Sequence, residues 1–268
     1  MSNKVTIIGA GSVGSTIAYN MVVTGIASEI VLIDINAKKA EGEAMDILQG
    51  VPFCSPVSIY AGTYADAKGS DIVILTSGMP RKAGQSRLEL AQVNVDITKT
   101  IIPEIVKYAP EAVYIVVSNP IDILTYVFHK YSGLPSNQII GSGTTLDTAR
   151  LRSRLSETFN ISQQNVHAYV FGEHGDSSFV PWSIANISGI PINQYINCLP
   201  EGKRPVVDYA EIEESALQRS RDSLERDIDR IAPDDKYAER RRADMTRRLN
   251  DLYDQIYKAE DLLQESLM

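Results

Sequence analysis

Cysteine is nearly absent from this sequence: Cys54 and Cys198 are the only two in 268 residues. Two thiols that far apart exclude a disulfide framework and a cysteine-based metal site. Basic residues are in the minority, 26 against 34 acidic, for a formal net charge of −8. That balance excludes a general nucleic-acid or anionic-membrane binder, which needs a basic face. A small anionic substrate stays allowed, because a local arginine pair overrides the global field. Long apolar runs are missing too. The run after Met1-Ser2-Asn3-Lys4 is too short for a signal-peptide core and nothing reaches membrane-spanning length, so no membrane partner and a cytoplasmic location are expected. Glycine is missing from one end: none of the 17 follows Gly202.

The rest of the composition is ordinary. Hydrophobic residues make up 44% and charged residues 22%, enough for a sizeable core in one large or two moderate domains. Up to about residue 212, short β-branched runs alternate with longer amphipathic stretches. The candidate strands are Lys4–Gly9, Glu29–Asp34, Val57–Ala61, Asp71–Ser77, Ala112–Ser118 and Gln138–Ser142. Each is apolar on both faces, as strands buried in a parallel sheet are. The pattern predicts a doubly wound α/β sheet of the Rossmann type.

From residue 213 the character changes. The last 56 residues carry 15 acidic and 11 basic side chains, a composition that forms helices but not tight strand connections. Leu217, Leu224, Ile228 and Ile231 fit one amphipathic helix ended by Pro233. Met245, Leu249, Leu252, Ile256, Ala259 and Leu263 step by fours and threes, the seam of a coiled coil or helical hairpin. The expected organisation is a dinucleotide-binding domain over 1–143, a partial α+β substrate domain over 144–212 and a helical, charged segment over 213–268.

Gly9-Ala10-Gly11-Ser12-Val13-Gly14 follows the first strand and opens a helix pattern. The first glycine makes the tight turn, the second lets backbone approach a pyrophosphate, and the third lets helix and strand pack closely. The helix N-terminus then faces the phosphate charge. Asp34 ends the second strand, where its carboxylate can accept hydrogen bonds from an adenosine ribose and repels a 2′-phosphate. The spacing therefore predicts NAD rather than NADP. Glycines that merely turn the chain are the alternative.

Two polar clusters carry the candidate chemistry. Gly172-Glu173-His174-Gly175-Asp176 holds one of only three histidines, and Leu146-Asp147-Thr148-Ala149-Arg150 lies upstream. Together they offer a proton-transfer base, a carboxylate to orient it and a guanidinium for an anionic substrate. Asp147 and Arg150, at helical i,i+3 spacing, can also be a simple ion pair. His129 reads as an ordinary hydrogen-bonded residue and Arg154 as a surface ion.

With these motifs in place, residues 4–212 resemble the lactate/malate dehydrogenase family, and its bacterial L-lactate branch most closely. Further carriers of the resemblance are Gly42-Glu-Ala-Met-Asp46, Gly50-Val-Pro-Phe53, Ser118-Asn119-Pro120, Gly141-Ser-Gly-Thr144 and Val166-His-Ala-Tyr169. The resemblance implies NAD bound by Gly9, Gly11, Val13, Gly14, Asp34, Thr76, Gly78, Val117 and Asn119. It makes His174 the proton donor to a ketone and acceptor from the alcohol, oriented by Asp147. Arg150 would bind the substrate carboxylate bidentately. Arg87, beyond the loop Lys82-Ala83-Gly84-Gln85-Ser86, would close over the substrate and polarise its carbonyl. Asn119 would position nicotinamide and substrate. No metal is implied. A homo-oligomer is implied, as is a fructose 1,6-bisphosphate effector site at Arg152 and His167, whose alternative is an interface ion or capping contact.

Two features complicate the assignment. Six residues before Arg87, where the lactate branch often has glutamine, stands Arg81, which matches the malate version of the loop and would pair with the second carboxylate of oxaloacetate. Lactate is the first expectation and malate the second. After Ile212, moreover, the family continues into a lysine-glycine-alanine-threonine stretch whose threonine lines the substrate pocket. That stretch does not occur here, and Thr246 is in the wrong context to replace it. The expectation is that NAD binding survives while turnover is strongly reduced or absent. A non-catalytic dinucleotide-binding protein that assembles through its helical tail is the alternative.

Overall fold

The six β-branched runs become the six strands of one parallel sheet in the computed structural model, which describes residues 3–80, 87–175, 177–213 and 215–217, with 87 and 88 by backbone. The strands are β1 (Lys4–Ile8), β2 (Glu29–Ile33), β3 (Ser58–Ala61), β4 (Ile72–Leu75), β5 (Val113–Val116) and β6 (Ile139–Gly141). Their order is β3-β2-β1-β4-β5-β6, with every neighbouring pair parallel. Each lies within its expected run and is shorter, because the residues at the strand ends feed the loops above the sheet.

Helices cover both faces. α1 (Ser12–Thr24) and α2 (Ala37–Gly50) lie on one, α3 (Arg87–Tyr108) and α4 (Ile121–Ser132) on the other. β4 shows why the strands read as unbroken apolar runs. Ile74 joins the core beneath α1 and α2 with Ile7, Ile30, Leu32 and Ile59, whereas Val73 and Leu75 point the opposite way toward Ile102, Ile105, Leu124 and Phe128. The chain runs outward from β1 to β3, then returns to β4 beside β1. That reversal opens a crevice at the carboxyl ends of β1 and β4, where doubly wound folds bind ligands.

A second lobe follows. It contains α5 (Thr145–Phe159), the two-residue strands β7 (Val166–His167), β8 (Asn186–Ile187) and β9 (Ile190–Pro191), and α6 (Ile192–Cys198). β7, β8 and β9 form a small antiparallel sheet. Such strands are too short to show a period of two, which is why the sequence pattern does not reveal them. Residues 209–213 and 215–217 are helical. Ile212, Ala216 and Leu217 are buried in one core with Leu151, Leu155 and Phe159 of α5, so packing continues past the change in composition at residue 213. The rest of the expected amphipathic helix and the whole coiled-coil seam, residues 218–268, lie outside the described residues. No described helix is long and apolar enough to cross a membrane.

Candidate active site

The crevice is built first by glycine. Gly9 has φ +109°, and a Cβ there would lie 2.7 Å from Ser77 N and from Thr76 Oγ1; a Cβ on Gly14 would collide with the Gly9 carbonyl. Thr76 Oγ1 secures this packing by donating to Gly9 O at 2.8 Å. Gly11 is different: nothing lies within 4 Å of where its Cβ would be. It caps α1, which has no side-chain cap and no acidic residue in its first turn. The unpaired N–H groups and positive dipole end of α1 therefore face open space, as an incoming phosphate requires.

Asp34 borders the same crevice. Its Oδ2 accepts from Ala10 N at 2.8 Å and its Oδ1 from Asn36 N at 2.8 Å, and each oxygen retains a lone pair for a ribose hydroxyl. Open space at Gly11, a free helix end and a fixed acid fit a dinucleotide. Thr76, Gly78, Val117 and Asn119 follow β4 and β5 at the same sheet edge. Ser118 Oγ ties these loops together by donating to Ser77 O at 2.6 Å. Val13 is exposed on the first turn of α1.

The second cluster is organised by α5. Asp147, Leu151, Leu155 and Phe159 recur every four residues on its buried face, so a carboxylate heads a stripe that is otherwise apolar. Asp147 is 2% exposed, and a charge so placed needs partners. His174 Nδ1 lies 2.6 Å from Asp147 Oδ2, and an Arg150 guanidinium N–H donates to Asp147 Oδ1 at 3.0 Å. Each carboxylate oxygen thus serves one partner. Burial pushes the Asp147 carboxyl up, but the His174 hydrogen bond and the His174 and Arg150 charges outweigh it and hold the group below the usual carboxylate range. The Asp147 hydrogen bond raises His174 above the ordinary imidazole value against the opposing effect of burial, with smaller help from the charges of Asp147 and Asp122. Since Nδ1 is taken, Nε2 is the nitrogen left for a substrate.

Several supporting residues make bonds that no sequence spacing reveals. Asp122 Oδ2 accepts from the backbone N of His174 at 2.9 Å, tying the histidine loop to the helix that follows Asn119. Asn94, 4% exposed, accepts from Met79 N at 2.8 Å and donates to Asn119 O at 2.9 Å. It joins the strand β4 loop to the Asn119 turn. Thr144 Oγ1 donates to Val170 O at 2.6 Å, and Val170 N donates to Thr148 Oγ1 at 2.9 Å. Thr144 and Thr148 stand inside motifs, but the partners in all these bonds are far apart in sequence, and no spacing betrays them.

The remaining expected residues fall elsewhere. Arg87 opens α3, its side chain outside the description, and Arg81 lies outside the described residues. Arg152 is engaged by residues 168 and 169. It donates through Nε to Ala168 O at 3.1 Å and stacks 4.7 Å from the Tyr169 ring centroid, beside exposed His167. Arg154 pairs with Glu157 at 3.2 Å on the surface.

Known proteins resemble this chain in sequence and fold. Residues 3–141 match the NAD-binding domain of the lactate/malate dehydrogenases, and residues 144–204 match that family's alpha/beta C-terminal domain. An L-lactate dehydrogenase of Acetivibrio thermocellus is 57% identical over 192 residues, 72% of this chain and 61% of the relative. One of Thermoanaerobacter sp. is 53% identical over 209 residues, covering 78% of this chain and 67% of the relative. The chain thus spans between three fifths and two thirds of the length of these relatives. A lactate dehydrogenase from a Medee basin deep-sea metagenome library superposes with TM-score 0.75 at 43% identity, over 86% of this chain and 72% of the other. The malate dehydrogenase of Picrophilus torridus does so with TM-score 0.72 at 36% identity, over 84% and 68%. With both family domains matched in order, this chain belongs to the lactate/malate dehydrogenase family.

Proposed function

We propose that the chain is an NAD-dependent L-2-hydroxyacid dehydrogenase whose first substrate pair is L-lactate and pyruvate, with turnover lowered by the missing lysine-glycine-alanine-threonine stretch. The observation that carries this reading is the 2.6 Å contact between His174 and buried Asp147, shared with Arg150. Gly9, Gly11, Val13, Gly14, Asp34, Thr76, Gly78, Val117 and Asn119 would hold the dinucleotide, which supplies or takes the hydride when bound. In ketone reduction, His174 Nε2 donates its proton to the carbonyl oxygen as the carbonyl carbon gains hydride, giving the alcohol. In the reverse direction the imidazole takes that proton back. Asp147 fixes the ring and stabilises its cationic form, an arrangement worth roughly 10²–10⁴-fold in rate. Arg150 has further N–H groups beyond the one bound to Asp147, and these would grip the substrate carboxylate in a fork that lysine cannot offer. Arg87 would polarise the carbonyl and close the site.

Malate and oxaloacetate form the second reading, favoured by Arg81 and by the likeness to a solved malate dehydrogenase. A cation facing the methyl group of pyruvate would lack a partner, so this position would discriminate strongly between the two acids. Steady-state oxidation of NADH with pyruvate and with oxaloacetate decides. Pyruvate preference supports the first reading, oxaloacetate preference reversed by Arg81→Gln supports the second, and NADH binding without turnover leaves a dinucleotide-binding protein. Arg152 and His167 would form the bisphosphate effector site between subunits of a homo-oligomer. The bond from Arg152 to the carbonyl of Ala168, the residue after His167, supports this, and light scattering with and without fructose 1,6-bisphosphate tests it.

A further inference from the structure

His174 sits on an excursion whose two stems are pinned differently. Phe171 and Phe179 close its base by exchanging two backbone hydrogen bonds of 2.9 Å each. The incoming stem is held to α5 by Thr144 and Thr148, which bond to both backbone groups of Val170. The outgoing stem is held by burial of Val180 in the second-lobe core and by one carboxylate. Glu213 Oε1 accepts from Val180 N at 3.1 Å, and Glu213 Oε2 accepts from Trp182 Nε1 at 2.9 Å. Trp182 also packs edge-on against Tyr209, with ring centroids 4.8 Å apart. Tyr209 and Glu213 share one helical segment, which Ile212, Ala216 and Leu217 bury in the core. The residue that grips the stem is therefore itself rigidly mounted.

We infer that Glu213 is a positioning residue for His174, holding the outgoing stem of the histidine loop against the helical segment 209–217. The chemistry requires a carboxylate. Val180 N and Trp182 Nε1 are both donors, so the group between them must accept twice; an amide would turn its NH2 toward one of them. Among the described residues the loop's own bonds are chiefly Gly175 N to Glu173 O at 2.9 Å and Ser178 Oγ to Gly175 O at 2.8 Å. Release of the stem would let the imidazole drift from Asp147, and a displacement near 1 Å costs on the order of 10²-fold in rate. Glu213 opens the charged region that composition sets apart, yet it serves the site. The inference deepens the proposed function, because it rests on His174 as the proton-transfer residue.

The test uses the full chain with Glu213→Ala and Glu213→Gln. With only three histidines and one tryptophan, His174 is resolvable by imidazole NMR and Trp182 alone reports the stem by fluorescence. The wild-type protein should show a hydrogen-bonded Nδ1–H resonance for His174. In Glu213→Ala that resonance should be lost, the His174 titration should move toward its ordinary value, and Trp182 emission should shift to the red. NADH affinity should stay within about twofold, since the crevice is untouched, while kcat for ketone reduction falls about tenfold or more with little change in KM for NADH. Glu213→Gln should lie between. Should the alanine variant fail to fold, Glu213→Gln and Trp182→Phe carry the same readouts, the latter by NMR and kinetics alone. A His174 signal and titration identical to wild type, in a Glu213→Gln protein whose tryptophan emission has shifted, would overturn the inference. If the wild-type chain binds NADH but reduces no keto acid, the proposed reaction fails, and the NMR arm still decides the role of Glu213.

Discussion

Replacing Asp147 with asparagine probes the proton-transfer pair directly. The two Asp147 oxygens serve two donors, His174 Nδ1 at 2.6 Å and Arg150 at 3.0 Å. Asparagine offers one acceptor and one donor. If its oxygen faces the imidazole, its NH2 faces a guanidinium; if it turns, its NH2 faces Nδ1 and favours the wrong tautomer. Either way the negative charge that stabilises the protonated ring is lost, and kcat/KM for ketone reduction should fall roughly 10²–10⁴-fold. The pH dependence should change as well. Hydrogen bonding to Asp147 raises His174 above the ordinary imidazole value despite burial, so the reduction rate should fall only as pH rises through that raised value. In Asp147→Asn the falling limb should move to lower pH.

Stability should follow the same linkage. The raised His174 pKa contributes stability that is fully present below the ordinary imidazole value and is lost as pH rises through the folded value. The lowered Asp147 pKa contributes stability present above the ordinary carboxylate value and lost as pH falls through the folded value. Both contributions should vanish in Asp147→Asn. Initial-rate pH profiles, paired with NMR titration of the three imidazoles, make the measurement. An Asp147→Asn protein with wild-type kcat/KM and an unmoved pH limb would refute the reasoning.

Gly14→Ala should abolish NADH binding in calorimetric titration, because its Cβ would overlap the Gly9 carbonyl that shapes the crevice. Asp34→Ala should weaken NADH about tenfold and reduce discrimination against NADPH, measured by comparing the two affinities; the acid that repels a 2′-phosphate is gone, as are its bonds to Ala10 and Asn36. Phe128→Ala should cost about 3–5 kcal/mol in urea unfolding, since this side chain is fully buried and packs 4.8 Å from the Tyr114 ring.

Much of the fold is legible because its signals are local. The six strands of the parallel sheet stand out as apolar runs, and Gly9, Gly11 and Gly14 are demanded by one turn. Asp147 and Arg150 are likewise neighbours on a single helix. What stayed hidden joins residues distant in the chain. Asp122 reaches His174 over 52 positions, Glu213 reaches Trp182 over 31, and Asn94 ties Met79 to Asn119. Each is one polar side chain whose partner is chosen by packing. The small antiparallel sheet escaped for a different reason, its strands being too short to carry a period.

Sequence by itself determined the doubly wound architecture, the dinucleotide crevice and the candidate pair of His174 and Asp147, because each follows from periodicity, a glycine-dependent turn or a short motif. Tertiary structure alone decided that Asp147 is buried with one oxygen each for His174 and Arg150, since burial depends on what covers α5. It also decided that residues beyond the change in composition at 213 still pack into the second lobe. Composition records the solvent each stretch tolerates, whereas contact records which surfaces meet, and Glu213 is where the two part.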